Sequence, residues 1–245
     1  RNVVDLPFWL ALARREAPRR VLEIGAGTGR LTIPLAREGA RSGFRVTGVE
    51  AEAPMLRRAQ ERRAAEPDAV REALQLVAGD VRSLDLAEQF DLALLPYGVA
   101  HHLLEIEDQV AAWRAVRRHL RRDGLLCVDL NMPEPTLLAC AVDGSARSVD
   151  MDVDDHQGHH LRRSVASRYS LSRQLLMHAY RYESDQPGGE RHCYRSDFAM
   201  HVFFPREVQL LCLLTGYRVE QLNGSYEGEP FGDRSRLLIV QARAA

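Results

Sequence analysis

Lysine is absent from this chain: all 33 basic residues are arginine. Schiff-base chemistry and a Walker-A phosphate loop are thereby excluded, since both need a lysine amine. Only four cysteines occur, and Cys127, Cys140, Cys193 and Cys212 never take a C-x-x-C spacing. They read as small buried apolar residues in a reducing, cytoplasmic setting. No apolar run approaches the roughly twenty residues of a membrane span, and no signal-peptide pattern is present. The formal net charge of −1 lacks the basic excess that a nucleic-acid partner demands. Arg117, Arg118, Arg121 and Arg122 form a local cluster, but apolar residues alternate with them on a predicted helix, so they read as its solvated side. At 245 residues the chain suits one large α/β domain with an insertion, and its core needs neither metal nor disulfide to hold it.

What the chain does have is Val21-Leu22-Glu23-Ile24-Gly25-Ala26-Gly27-Thr28-Gly29-Arg30. An apolar strand ends in an acid, and a loop with glycine at every second position opens a helix. Glycine permits the positive φ of a tight turn and lets backbone lie against a ligand. A second acid, Glu50, ends the next predicted strand, Phe44 to Val49, at the spacing where a carboxylate meets a ribose diol. A nucleoside is implied, and charge selects which. A dinucleotide needs free helix N–H groups and no carboxylate near its pyrophosphate. Here Arg30 replaces the last glycine of G-x-G-x-x-G, and Glu23 would repel the diphosphate. A ligand with an ammonium, a sulfonium and a ribose has the opposite preference.

E-x-G-x-G-x-G closing a first strand resembles motif I of the class I S-adenosylmethionine-dependent methyltransferases. Further segments match that family in order. Val46 to Glu50 with Met55 to Ala59 resembles its second strand and following helix, Leu76 to Val81 the third strand, and Phe90 to Tyr97 the fourth. A helix at 104–122, Gly124 and a fifth strand at Leu125 to Leu130 continue the pattern. The resemblance implies S-adenosylmethionine as cofactor, held by Glu23, Gly25, Ala26, Gly27, Gly29, Glu50, Met55, Asp80, Val81 and Pro96. Glu50 would take the ribose, Met55 would lie on adenine, and Asp80 would accept from its amino group. An N-terminal helix closes over the cofactor in that family; this chain opens at Arg1 without a methionine, which leaves room for upstream residues of such a helix.

The expected fold is therefore α/β: a doubly wound, mostly parallel seven-stranded Rossmann-like sheet, with an antiparallel β insertion after strand 5. Residues 1–131 and 205–245 would form the cofactor-binding core and 132–204 the insertion. Asp5 reads as N-cap of a helix over 5–17, and Pro34 should kink or shorten the helix after the glycine loop. Within the insertion, stretches near 147–154, 160–169, 174–184 and 191–204 are separated by turn signals at Gly158, Ser170 to Ser172 and Pro187-Gly188-Gly189. Pro205 opens a helix that Gly216 ends, and 217–222 with 236–242 form a closing pair whose second strand is reversed. The second half, especially His201 to Val219, is similar to small-molecule methyltransferases acting on amino sugars and glycine, in which such an insertion roofs the substrate pocket.

Methyl transfer to an ammonium or hydroxyl also needs a proton acceptor, and histidine suits neutral pH. Tyr97, His101 and His102 follow strand 4, at the edge where doubly wound sheets bind ligands. One histidine would open the next helix and the other face the pocket; the sequence does not say which. His201, Arg195 and Tyr226 are further candidates from the second half. Asp150, Asp152, Asp154, Asp155, His156, His159 and His160 surround a predicted turn without a standard ligand spacing, so no metal is assigned. The expectation is methyl transfer to N or O of a small molecule of secondary metabolism, with no nucleic acid or membrane partner and a homodimer left open. A non-catalytic S-adenosylmethionine-binding protein and an NAD(P)-dependent reductase stay open as alternatives.

Overall fold

In the computed structural model, residues 4–142, 144, 146–154, 160–185 and 191–245 are described. They fall into two units, one within residues 4–100, 105–132 and 204–245, the other drawn from the described residues of 101–104 and 133–203. The larger unit is a seven-stranded sheet. Its strands are β1 (Arg20–Ile24), β2 (Arg45–Glu50), β3 (Leu74–Ala78), β4 (Phe90–Leu95), β5 (Leu120–Asn131), β10 (Tyr217–Asn223) and β11 (Leu237–Ala244). The spatial order is β10-β11-β5-β4-β1-β2-β3, parallel throughout except for β11, which is antiparallel to both β5 and β10. Both faces are covered, so β1 and β4 read as continuous apolar runs rather than alternating ones. Helices α1 (Leu6–Glu16), α2 (Thr32–Ser42), α3 (Ala53–Ala64), α4 (Asp68–Ala73), α5 (Ile106–His119) and α7 (Pro205–Leu214) belong to this unit. Trp9, Leu12, Leu35, Phe44, Val46, Leu92, Leu94 and Ile239 share one buried cluster.

Several expectations about local structure are corrected. Asp5 does not cap α1 with its side chain; its carboxylate is committed to Arg30 and to the Trp9 indole. Pro34 falls in the first turn of α2, which begins only at Thr32, so its missing N–H costs nothing there. Helix α5 stops at His119, and neither His101 nor His102 opens it: Glu105 is its N-cap, and both histidines lie in a 3₁₀ turn, Val99–His102. His119 ends the helix by bonding twice, its Nδ1 to the Ala115 carbonyl and its Nε2 to the Leu86 N–H, both at 2.7 Å. Arg121 and Arg122 therefore belong to β5 instead of a helix face, and Arg121 pairs with Asp91 at 2.8 Å.

The smaller unit is an antiparallel sheet in the order β6-β7-β8-β9, from β6 (Arg147–Asp154), β7 (His160–Ser170), β8 (Leu175–Asp185) and β9 (Arg191–His201). A helix that the sequence reading lacked, α6 (Pro135–Val142), packs on β7 through Leu137, Leu138 and Ala141 against Tyr169 and Leu176. Proline at its first position hid it among loop signals. The register sets His178 opposite Phe198 and Tyr182 opposite Tyr194. That face stacks aromatics along the strands, with Tyr180 and Phe198 nearly parallel at 5.5 Å. Gly158, Pro187, Gly188, Gly189, Asp155, His156 and His159 lie outside the described residues; His160 pairs with Asp152 and Asp154. Among the described residues no three ligating side chains group to hold a metal, and no helix is long and apolar enough to cross a membrane.

Gly39 packs so closely that an added Cβ would lie 2.4 Å from the Phe44 carbonyl oxygen. Gly39→Ala should cost about 1–3 kcal/mol of stability through overpacking, read as a lower urea midpoint at unchanged slope.

Candidate active site

The strand order reverses at β1, whose neighbours are β2 on one side and β4 on the other. The crevice beyond the carboxyl ends of such strands is where doubly wound sheets bind ligands. Two loops flank it here, the glycine loop after β1 and the Pro96-Tyr97-Gly98 turn after β4.

In the glycine loop, Gly25, Gly27 and Gly29 all take positive φ, at 72°, 58° and 78°. Four of its amides are already spent. Gly25 and Ala26 donate to the Val49 carbonyl at 2.9 Å, Gly29 donates to Ala26 at 2.9 Å, and Gly27 donates to Glu50 Oε2 at 2.7 Å. A diphosphate needs those N–H groups free. The Glu50 carboxylate sits where an anion would have bound, and its Oε1 also accepts the Glu52 N–H at 2.8 Å. A carboxylate offers about four acceptor positions, so Glu50 can still take a diol.

Glu23, at the end of β1, is 2% exposed, and its Oε2 has no hydrogen-bond partner among the described residues. Burial pushes its carboxyl up to about 8, with the Thr32 hydroxyl and Arg30 opposing and the charges of Asp5 and Glu50 pushing the same way as burial. A buried acid with one unpartnered oxygen beside this loop fits a cationic ligand. Arg30 is not free to meet an anion: it binds Asp5 through two 2.7 Å bonds and lies 4.6 Å from the Tyr97 ring centre. Met55, 41% exposed, lies over the loop, its methyl 3.7 Å from where a Cβ on Gly27 would stand. Asp80 is bound to the Arg82 guanidinium and accepts the Arg82 N–H at 2.9 Å; that guanidinium holds its carboxyl below the usual range. Val81 opens the 3₁₀ turn Val81–Ser83 beside it, and Pro96 is buried at the end of β4.

Tyr97 is 71% exposed and takes φ +60°, a conformation that costs a non-glycine residue roughly 1–2 kcal/mol. Within the smaller unit, His101 and His201 are buried together, with His101 Nδ1 2.7 Å from the His201 carbonyl oxygen and both rings against Phe203. Burial lowers the pKa of His101. His102 is exposed, its ring 6.4 Å from that of Phe198. Arg195 is exposed on β9. Two groups escaped the sequence reading. Asp129, an acid inside the apolar run of β5, accepts the Gly98 N–H at 2.9 Å and the Tyr226 hydroxyl. Asp5 pairs with Arg30. An acid in the middle of a buried strand is the signal that could have marked Asp129.

Fold and site together define a nucleoside-binding doubly wound enzyme domain whose ligand carries positive charge and no phosphate. Residues 21–124 match the family model described as a methyltransferase domain. The chain is 26% identical over 235 residues to the cypemycin N-terminal methyltransferase of a Streptomyces species, spanning 96% of this chain and 87% of that protein. The CcbJ methyltransferase from Streptomyces caelestis superposes with a TM-score of 0.81 at 24% identity, over 99% of this chain and 90% of that one. CalS10, an amino pentose methyltransferase from Micromonospora echinaspora, gives 0.73 at 21% identity, over 97% and 87%. These two likenesses are of fold. Residues 21–124 thus form a methyltransferase domain, and the chain is an S-adenosylmethionine-dependent methyltransferase.

When bound, the cofactor supplies a sulfonium-activated methyl group. The protein's part is to hold it and to align the nucleophile, which can supply roughly 7–11 kcal/mol. Glu50→Gln turns an acceptor into an amide donor; S-adenosylhomocysteine affinity should fall about tenfold or more in calorimetry. Glu23 gives a pH signature. Unfolded, it loses its proton near 4.5; folded, it keeps it to about 8. Between these values the folded state binds more protons, so the stability of the ligand-free protein falls as pH rises through that window. Glu23→Gln should remove this component of the slope in urea titrations at pH 5 to 8.

Proposed function

We propose that the enzyme methylates an amine nitrogen of a small molecule. The observation that carries this reading is the charge balance of the crevice. Four acids, Asp5, Glu23, Glu50 and Asp129, act on one another and on Arg30 here, while Arg62 is spent on the Thr28 carbonyl, so the site favours a cationic cofactor and an acceptor that arrives as an ammonium. The relatives point the same way: one is named for an N-terminal amine, another for an amino pentose. An ammonium must lose a proton before it attacks, and we assign that work to His102, the exposed histidine five residues after Tyr97. His101 and His201, buried against Phe203, hold the turn. Glu23, the glycine loop, Glu50 and Met55 hold the cofactor, with Asp80, Val81 and Pro96 at its adenine and methyl ends. The four cysteines stand free, which agrees with a reducing cytoplasmic setting.

The test pairs calorimetry with turnover. The protein should bind S-adenosylhomocysteine in the micromolar range and methylate members of a primary and secondary amine panel. His102→Ala should lower turnover by about 10²- to 10⁴-fold while leaving that binding intact. Transfer to alcohols alone would overturn the amine assignment, and absence of cofactor binding would overturn the whole reading.

A further inference from the structure

The turn after β4 is held in an unfavourable shape. Tyr97 and Gly98 are consecutive residues with φ +60° and +66°, and tyrosine adopts that region only under constraint. Two restraints act on it. The Gly98 N–H donates to Asp129 Oδ1 at 2.9 Å in a buried setting, and the Arg30 guanidinium covers the Tyr97 ring. Each restraint is itself anchored. The other Asp129 oxygen accepts the Tyr226 hydroxyl; Tyr226 packs on Phe8 of α1 with ring centres 5.5 Å apart, and Phe8 meets Trp9 edge-on at 5.0 Å. The Trp9 indole donates to Asp5 at 3.2 Å, and Asp5 grips Arg30. The contacts close a ring that runs from the turn through β5, the β10–β11 connection and α1 to the end of the glycine loop, then back to the turn.

We infer that Asp129 is a positioning residue for methyl transfer: as a carboxylate it locks the Tyr97-Gly98 turn against β5 and couples that turn to α1 through Tyr226. The inference rests on the proposed function for its consequence in turnover, but not for the lock itself. The chemistry favours the ionised form. A carboxylate accepts from both the Gly98 N–H and the Tyr226 hydroxyl in charge-assisted bonds, whereas the protonated acid keeps both contacts only if the Tyr226 hydroxyl turns to accept, and the two bonds are then neutral and weaker. Burial raises the Asp129 carboxyl to about 6, so the lock engages just below neutrality. The groups that act on it are Tyr226 from the β10–β11 connection, Gly98 from the turn, Asp5 before α1, Arg30 from the glycine loop and Cys127 on its own strand. Asp5 raises its pKa, and Arg30 together with the two hydrogen bonds lowers it.

Amide hydrogen exchange over residues 96–100, with S-adenosylhomocysteine present, tests this on the full chain at pH 5 to 8 after correction for the intrinsic pH dependence. In the unaltered protein, protection should weaken below about pH 6. Asp129→Asn should bind S-adenosylhomocysteine within about threefold of the unaltered protein, yet exchange this segment about tenfold faster or more, with no inflection near pH 6. On any amine the enzyme accepts, its kcat should fall about tenfold with KM little changed. Tyr226→Phe keeps the ring and removes only the hydroxyl; it should shift exchange in the same direction by less, and it serves if Asp129→Asn fails to fold. Exchange over 96–100 unchanged by either substitution at every pH overturns the lock. Failure of the unaltered protein to bind S-adenosylhomocysteine would instead sink the functional reading, and the exchange comparison run without ligand would still decide the lock.

Discussion

The hydrogen bond from the Gly27 amide to Glu50 governs this site more than any other contact. It spends the amide that a phosphate would need and does so with a carboxylate, so the place where a nucleotide-binding loop usually displays positive potential carries the opposite sign. The remaining loop amides at Gly25, Ala26 and Gly29 close on Val49 and Ala26. A loop that looks like a dinucleotide fingerprint in composition thus has most of its amides taken by its own hydrogen bonds. Of the cations nearby, Arg30 is paired with Asp5 and Arg62 is bound to the Thr28 carbonyl. What is left is a crevice at the sheet's switch point with excess acid, and selectivity for a phosphate-free, positively charged adenosine derivative follows from that excess.

Excess acid carries an energetic cost. A fully buried carboxyl moved from 4.5 to about 8 stands on the order of 5 kcal/mol from its solvated reference for ionisation. Glu23 avoids that cost by keeping its proton, with one oxygen, Oε2, lacking a hydrogen-bond partner among the described residues. A positively charged group placed beside it would favour the charged form. Packing alone would favour valine or leucine at the buried end of β1, so the acid there points to a polar task.

Much of this was legible in the chain. Residues 18–131 alternate apolar strands with helices at the spacing of a parallel sheet, and the acids at Glu23 and Glu50 mark the strand ends because a carboxylate terminates an otherwise apolar run. The order of the closing strands and the four-stranded antiparallel insertion could be read from turn chemistry. The misses share a cause. Helix α5 was extended past His119 because Leu120 continues its apolar period, and only a distant partner, the Leu86 amide, reveals where the helix stops. Helix α6 was masked by Pro133 and Pro135, which resemble loop residues until the second is seen at a helix start. Asp5 looked like a cap because Asp before Leu-Pro is good cap chemistry; its real partner lies 25 residues away. Periodicity reports local preference, and long-range polar pairing overrides it without leaving a local trace.

The same distinction sorts the candidate catalytic residues. A base must present an unencumbered nitrogen to its proton, and the chain offers three histidines that sequence alone treats as equals. Burial separates them. His101 has its Nδ1 tied to a main-chain carbonyl, and desolvation disfavours its charged form; His201 is buried beside it against Phe203. Charging His101 would place an imidazolium in that apolar cluster, which its burial opposes. His102, adjacent in sequence to His101, reaches solvent because the 3₁₀ turn rotates successive side chains by about 120°. In this chain a single step along a tight turn separates a histidine buried against Phe203 from one that faces solvent.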